Sequence, residues 1–472
     1  MVAILPILLC YYLFFVLSGF SDMSLKRTLY SLLLYLIFPF VLLRLLIRSR
    51  TNANYRKRWS ERLACISPQI SKPVIWLHAV SVGEVIAAKP LIEGLLENYP
   101  HYQILVTTTT PTGSDRVSAI FDKNIQNKTL LHSYFPYDLL GAVSRFIKVF
   151  KPHILIVVET EIWPNLYAKC DQKNIPIIMV NARLSEKSTA SYVKFKGLVA
   201  ETLSRVNIIA VRSNVDKARF ITLGAKEAQI KEIGNIKYDI RQDAKQIIKS
   251  EKYKALFSIK QNQKDLILVA ASTHKGEDEK IVFIYLTLLK QYSALKLILV
   301  PRHPERFDEV YEQTIKQVPD HLTVARHSQI KEDGYDKTQR PNIVLGDSMG
   351  EMQMWFALAD IAFIGGSLVD VGGHNPLEAT LYGVPVVSGS HMFNFEDVSD
   401  ELSAADLLFV CDDEFEVAKK LSVLLSVLVS PYNADHADLF ESQCSAFLQK
   451  HQGVSARLLA EIDQQLITNP KL

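Results

Sequence analysis

Glycine followed by a carboxylate closes the segment His78-Ala79-Val80-Ser81-Val82-Gly83-Glu84. At a loop-to-helix junction the helix amino terminus would stabilise such a charge, and in a cleft the same group could take a proton from an acceptor hydroxyl. Helix cap and general base are equally compatible with the residue types. Glu159 and Glu161 flank Thr160, directly after an apolar run and before Trp163 and Pro164. Carboxylates are costly to bury unpaired, so this pair either binds a cation or faces a wet cleft.

Later in the chain, Pro301-Arg302-His303-Pro304 supplies a guanidinium suited to bidentate phosphate recognition. Gly365-Gly366-Ser367 and Gly372-Gly373-His374-Asn375-Pro376-Leu377-Glu378 form a glycine-rich stretch. Glycines let backbone N–H groups approach a phosphate, Pro376 is acceptable in a first helical turn, and Glu378 could accept from ribose hydroxyls. The competing account is a glycine-rich turn with a capping box. Neither GxGxxG nor a Walker loop is present, which disfavours a dinucleotide oxidoreductase or a P-loop ATPase. His78, His274, His303 and His374 lack HExxH spacing, so each alone reads as a hydrogen-bonding loop residue rather than a metal ligand.

These segments all follow short β-rich runs. Residues 74–77, 104–108, 154–158, 177–180 and 208–211 alternate with helix-like stretches, and the pattern restarts at 266–270, 297–300, 343–345, 361–364, 384–387 and 407–410. Such alternation predicts an α/β fold of two doubly wound parallel sheets facing a cleft, with ligands beyond the carboxyl ends of the strands. A polar, lysine-rich stretch near 241–264 suits a connector between them.

At 472 residues the chain is long enough for two such domains or more. Its net charge of +3 argues against a nucleic-acid partner, but residues 25–62 hold nine basic side chains against Glu61 alone. Residues 1–20 are uncharged and long enough to span a bilayer. A second uncharged run, 28–43, is short for spanning and contains Pro39, with Leu29, Leu32, Leu36, Phe40 and Leu43 at helical spacing. Arg44, Arg48 and Arg50 follow it, where their charges can meet lipid headgroups and favour the cytoplasmic side. Five scattered cysteines without a CxxC pair fit a reducing compartment.

Taken in order, His78 to Glu84, Thr110-Pro111-Thr112-Gly113-Ser114, Glu159 to Asn165, Asn181-Ala182-Arg183-Leu184-Ser185, Pro301 to Phe307 and Gly365 to Glu378 resemble the 3-deoxy-D-manno-octulosonic acid (Kdo) transferases of lipopolysaccharide synthesis. The resemblance implies a GT-B glycosyltransferase fold, CMP-Kdo as donor, the lipid A precursor as acceptor and anomeric inversion. It matches Glu84 to the proton acceptor, and Glu159 and Lys237 to transition-state stabilisation. Pro301, Arg302, Met349, Gly350, Glu351, Asn375, Pro376, Leu377 and Glu378 match the CMP-binding segments. No metal or cofactor is implied, and the expected location is the cytoplasmic face of the inner membrane of a Gram-negative bacterium.

The expected division is a membrane tether at 1–62, an acceptor-binding Rossmann-like domain at 63–240, a connector at 241–264, a CMP-Kdo-binding Rossmann-like domain at 265–455 and a tail at 456–472. The competing functions are another GT-B enzyme, such as a UDP-sugar transferase or an epimerase, and a non-catalytic membrane-tethered nucleotide-sugar scaffold.

Overall fold

The computed structural model describes residues 23–50, 54, 57–257, 266–331, 340–429 and 434–468. The first uncharged run, 1–20, lies outside them. The chain divides into two compact units, Met1–Asp239 with Gly453–Leu472, and Ile240–Gln452.

In the first unit, β1 (Val74–His78), β2 (Gln103–Thr108), β3 (Leu130–Tyr134), β4 (Pro152–Val158), β5 (Ile177–Ala182), β6 (Ile208–Val211) and β7 (Ile230–Glu232) form one parallel sheet in the order β3-β2-β1-β4-β5-β6-β7. Helices cover both faces, so β1 and β4 are buried on both sides and read as unbroken apolar runs. The order reverses between β1 and β4, the point at which open sheets bind ligands.

The second unit repeats the plan with β8 (Leu266–Thr273), β9 (Leu295–Pro301), β10 (Val324–Arg326), β11 (Ile343–Leu345), β12 (Ile361–Ile364), β13 (Val386–Gly389) and β14 (Leu408–Cys411) in the order β10-β11-β9-β8-β12-β13-β14. All of its neighbours are parallel, and its switch point lies between β8 and β12.

Two expectations change. The segment expected as a tail at 456–472 carries most of a helix, Val454–Thr468, and packs on the first unit, not the second. Val454, Leu458 and Ile462 enter the core beneath β1 and β4, and the absent side chain of Gly94 leaves room for Leu459. Asp239 fixes the helix start by accepting from Gly453 N (2.7 Å), Val454 N (3.1 Å) and Ser455 N. The apolar period alone could not say which sheet this helix would cover.

The second change concerns the tether. The run expected to be short is a 24-residue helix, Leu25–Arg48, that continues through Pro39 and is long and apolar enough to cross a membrane. One of its faces nevertheless docks on the first unit. Ser24 Oγ donates to Glu201 (2.6 Å), Tyr30 OH to Asp138 (2.9 Å) and Ser31 Oγ to Asn165 (3.0 Å), and Arg27 is buried. Leu29, Leu32, Leu33, Leu36, Phe40 and Leu43 are exposed on the remaining surface. Two further basic residues turn inward: Arg58 pairs with Glu61 (2.6 Å), and the buried Arg62 donates to Thr109 O (2.8 Å).

Candidate functional site

The first unit collects carboxylates where β1 and β4 end. Ser81 caps the helix Val82–Ala87, and Glu84 in its first turn accepts from Val80 N (2.6 Å) and Ser81 Oγ (3.2 Å). The capping reading of Glu84 is therefore realised, and among the described residues no cation pairs with the carboxyl. Burial, then the charge of Glu159, pushes the Glu84 carboxyl up to about 8. Glu159 itself follows β4 with φ of 60° and donates its N–H to Val180 O (2.8 Å), a turn that swings the chain off the strand. Glu161 is pushed up to about 7 by burial and by Glu159. The three carboxylates are thus one electrostatic cluster.

Lys237 is placed through the backbone. Asn181, at φ of 54° near the end of β5, accepts from Ile236 N (3.1 Å), and Asn235 accepts from Lys237 N (3.1 Å). This holds the short turn Ile236–Tyr238 beside the strand next to β4. Behind the site, His78 stacks on Phe135 (3.8 Å between rings) and bonds Thr107 through Nδ1, and burial lowers it to about 3. It is a neutral wall.

Asp138, which carried no sequence signal, holds this rim together with Asn165, the last residue of the Glu159 to Asn165 segment. Asp138 accepts from Asn165 N (3.0 Å) and Leu166 N (2.7 Å), capping the helix Pro164–Gln172 that opens just after Glu159 to Trp163. Asn165 in turn donates to Asp138 O (2.7 Å).

The second unit gathers cations and imidazoles instead. Arg302, exposed, follows β9 and donates its N–H to Thr273 O (3.0 Å) at the end of β8. His274 Nε2 lies 2.8 Å from His374 Nε2 with the rings nearly parallel (9°), and His303 sets its ring edge against His274 (5.2 Å). The three histidines that looked isolated in sequence share one site because they follow β8, β9 and β12. Among the described residues, no group of three His, Cys, Asp or Glu side chains is arranged to hold a metal ion.

The glycine-rich stretch differs from its expected role. The N–H groups of Gly366 (2.6 Å), Ser367 (3.0 Å) and Leu368 (2.9 Å) all point at the carboxylate of Glu277, which also accepts from His274 N (2.9 Å). A buried glutamate fills the nest expected for a phosphate. Gly365 is required for another reason: a Cβ there would lie 2.6 Å from Ser272 O. The helix after Asn375 is only Leu377–Thr380, and Asn375 already accepts from Leu377 N (3.2 Å), so its amino terminus offers little to an anion.

Met349-Gly350-Glu351 follows β11, beside β9. Met349 is 59% exposed and Gly350, at φ of 77°, has open space where a Cβ would stand. Glu351 is buried and satisfied by Lys331 (2.9 Å), His327 (3.1 Å), Lys249 and Ser348. Its carboxylate therefore pins the loop, leaving Met349 and the Gly350 backbone open to solvent.

Two doubly wound units, each a parallel sheet with helices on both faces, define a GT-B fold. The structure of a glycosyltransferase from Rickettsia africae matches with a TM-score of 0.52 at 13% identity, over 85% of this chain and all of that one. That of a UDP-N-acetylglucosamine 2-epimerase from Listeria monocytogenes, described as putative, gives 0.51 at 15% identity over 84% of this chain and 97% of that one. These likenesses establish the fold.

The family follows from sequence. The profile for 3-deoxy-D-manno-octulosonic-acid transferase (kdotransferase) matches residues 57–240. A 3-deoxy-D-manno-octulosonic acid transferase of Haemophilus influenzae is 40% identical over 79% of this chain and 84% of its own length, and one of Bordetella pertussis is 30% identical over 83% and 87%. The chain belongs to the Kdo transferase family and is a glycosyltransferase.

Proposed function

We propose that the chain transfers Kdo from CMP-Kdo to the lipid A precursor with inversion at the anomeric carbon, on the cytoplasmic face of the inner membrane. The observation that carries this reading is Glu84, a half-buried carboxyl pushed up to about 8 beside two further carboxylates. Such a group takes a proton from an attacking hydroxyl with driving force that an ordinary glutamate lacks at neutral pH.

Pro301 and Arg302, the open loop at Met349 and Gly350, and the segment Asn375 to Glu378 lie along one rim of the second sheet and are assigned to CMP. Arg302 supplies the charge that a phosphate needs. Glu159 and Lys237 are assigned to the charge that develops as the sugar leaves. The exposed apolar face of the Leu25–Arg48 helix, followed by exposed Arg48 and Arg50, is assigned to a lipid surface.

Incubation of the purified protein with CMP-Kdo and the tetraacylated lipid A precursor should yield a lipid heavier by one or more Kdo units in mass spectrometry. Release of CMP without a Kdo-bearing lipid, or no consumption of donor, would reject the assignment.

A further inference from the structure

Glu277 occupies the backbone nest at the second switch point, so side chains must meet an anion at that rim. The pair His274 and His374 is built for it. Two imidazoles bridged Nε2 to Nε2 at 2.8 Å form a hydrogen bond only when one donates and the other accepts. In the neutral pair, one outward Nδ1 carries a proton and the other is bare. One added proton turns both outward nitrogens into donors and leaves the inner bond intact. Neither Nδ1 has a hydrogen-bond partner among the described residues.

The pair is rigidly placed. Glu277 holds His274 N and Gly366 N on one carboxylate oxygen, and Gly373 N donates to Gly366 O (2.8 Å) just before His374. A Cβ on Gly366 would stand 3.3 Å from His374 and 3.4 Å from His274, so the glycine clears space for both rings.

The charged and titratable groups facing the pair are Arg302 and His303 after β9, Arg306, whose guanidinium is paired with Asp278, and the buried Glu277. Burial and then neighbouring charge lower both imidazoles, His274 to about 4 and His374 to about 3. The charges are those of His303, Arg306 and Arg302 for His274, and of Arg302, His274 and His303 for His374. An anion between Arg302 and the rings reverses the electrostatic part of that effect.

We propose that His274 and His374 act as one unit that gains a single proton as the donor phosphate arrives beside Arg302, and that the resulting imidazolium stabilises the departing CMP. In the transfer, the acceptor hydroxyl gives its proton to Glu84 and its oxygen bonds to the anomeric carbon of Kdo. The bond from that carbon to the phosphate oxygen breaks, and its electron pair stays on the phosphate. CMP thereby passes from one negative charge to two, and the protonated pair offsets the second. This rests on the CMP-Kdo donor proposed above.

The test uses the full-length protein and cytidine 5′-methylphosphate, a phosphodiester that does not itself titrate near neutrality. Calorimetric titration at pH 7 in two buffers of different ionisation enthalpy counts the protons taken up on binding. The wild type should take up a fraction of a proton at pH 7 that grows as pH falls toward 6, and affinity should rise with it. H274Q and H374Q should each abolish the uptake, whereas H303Q should retain it.

Binding without proton uptake by the wild type, which needs no variant to fold, would overturn the proposal. So would uptake that survives in both H274Q and H374Q, or that disappears in H303Q. Failure of the wild type to bind either CMP or its methyl ester would instead sink the donor assignment and the pair's role with it.

Discussion

The carboxyl rims of the two sheets are built on the same plan and carry opposite electrostatics. At the first, Glu84 and Glu161 are withdrawn from water and then crowded by Glu159, so they hold protons more tightly than free carboxyls. At the second, His274 and His374 are likewise withdrawn and then crowded by Arg302 and His303, so they hold protons more weakly than free imidazoles. Both sheets are parallel and reverse their strand order beside their first strand, so topology fixes only where ligands go. The two or three residues after each strand decide whether the rim seeks a proton or an anion.

Breaking the first rim should cost most. E84Q should retain CMP binding and lose Kdo transfer by roughly 10²- to 10⁴-fold, the usual contribution of a general base; near-normal turnover in the purified variant would remove Glu84 from the chemistry. The tether comes next. Placing charges at two exposed apolar positions, L29E with L36E, should weaken partition onto anionic phospholipid vesicles by roughly 10²- to 10⁴-fold, from roughly 1.5–3 kcal/mol for each of the two leucine side chains. Unchanged flotation would assign membrane contact to another surface. R302A should weaken CMP binding by roughly 10- to 100-fold, as for a lost charge-assisted contact, without altering vesicle binding. An unchanged dissociation constant would move the phosphate elsewhere.

The smallest effect sharpens the contrast most. The base form of Glu84 lies above its raised value, so kcat/KM should climb with pH toward about 8 and fall about tenfold per unit below that. E159Q removes the negative neighbour, so beyond any loss of rate it should move this limb to lower pH. A limb that stays in place would uncouple the two carboxylates.

Much of the scaffold was legible because central parallel strands are buried on both faces and show as continuous apolar runs. The three strands that the pattern missed, β3, β7 and β10, are all edge strands: Leu-Leu-His-Ser-Tyr, Ile-Lys-Glu and Val-Ala-Arg. An edge pairs on one side only and tolerates polar residues, so its sequence resembles a loop. The same reasoning explains the sites. Arg302 stood out because it directly follows a strong strand, and Glu84 because a glycine precedes it at a loop-to-helix junction. Glu277 and the His274–His374 pair did not, since their meaning depends on β8 and β12 being neighbours in space while about 90 residues apart in sequence. His274 did stand four residues after a recognised strand run, which was the one available hint.

The glycine-rich stretch shows how such reading goes astray. Its φ values of 70° to 102° at Gly366, Gly372 and Gly373 are real requirements of the turn. The anion those turns receive is the protein's own carboxylate.

Asp138 has a further consequence. It caps the helix that leaves the Glu159–Trp163 loop, and its other visitor is Tyr30 of the apolar helix; Ser31 meets Asn165 in the same place. The exposed apolar helix and the loop that carries Glu159 and Glu161 are therefore bolted to one another, not joined by slack. On the proposed function, this would present the carboxylates to a lipid acceptor at a set height and angle. Swapping the apolar helix for an unrelated anchor would restore residence at the membrane but not that alignment.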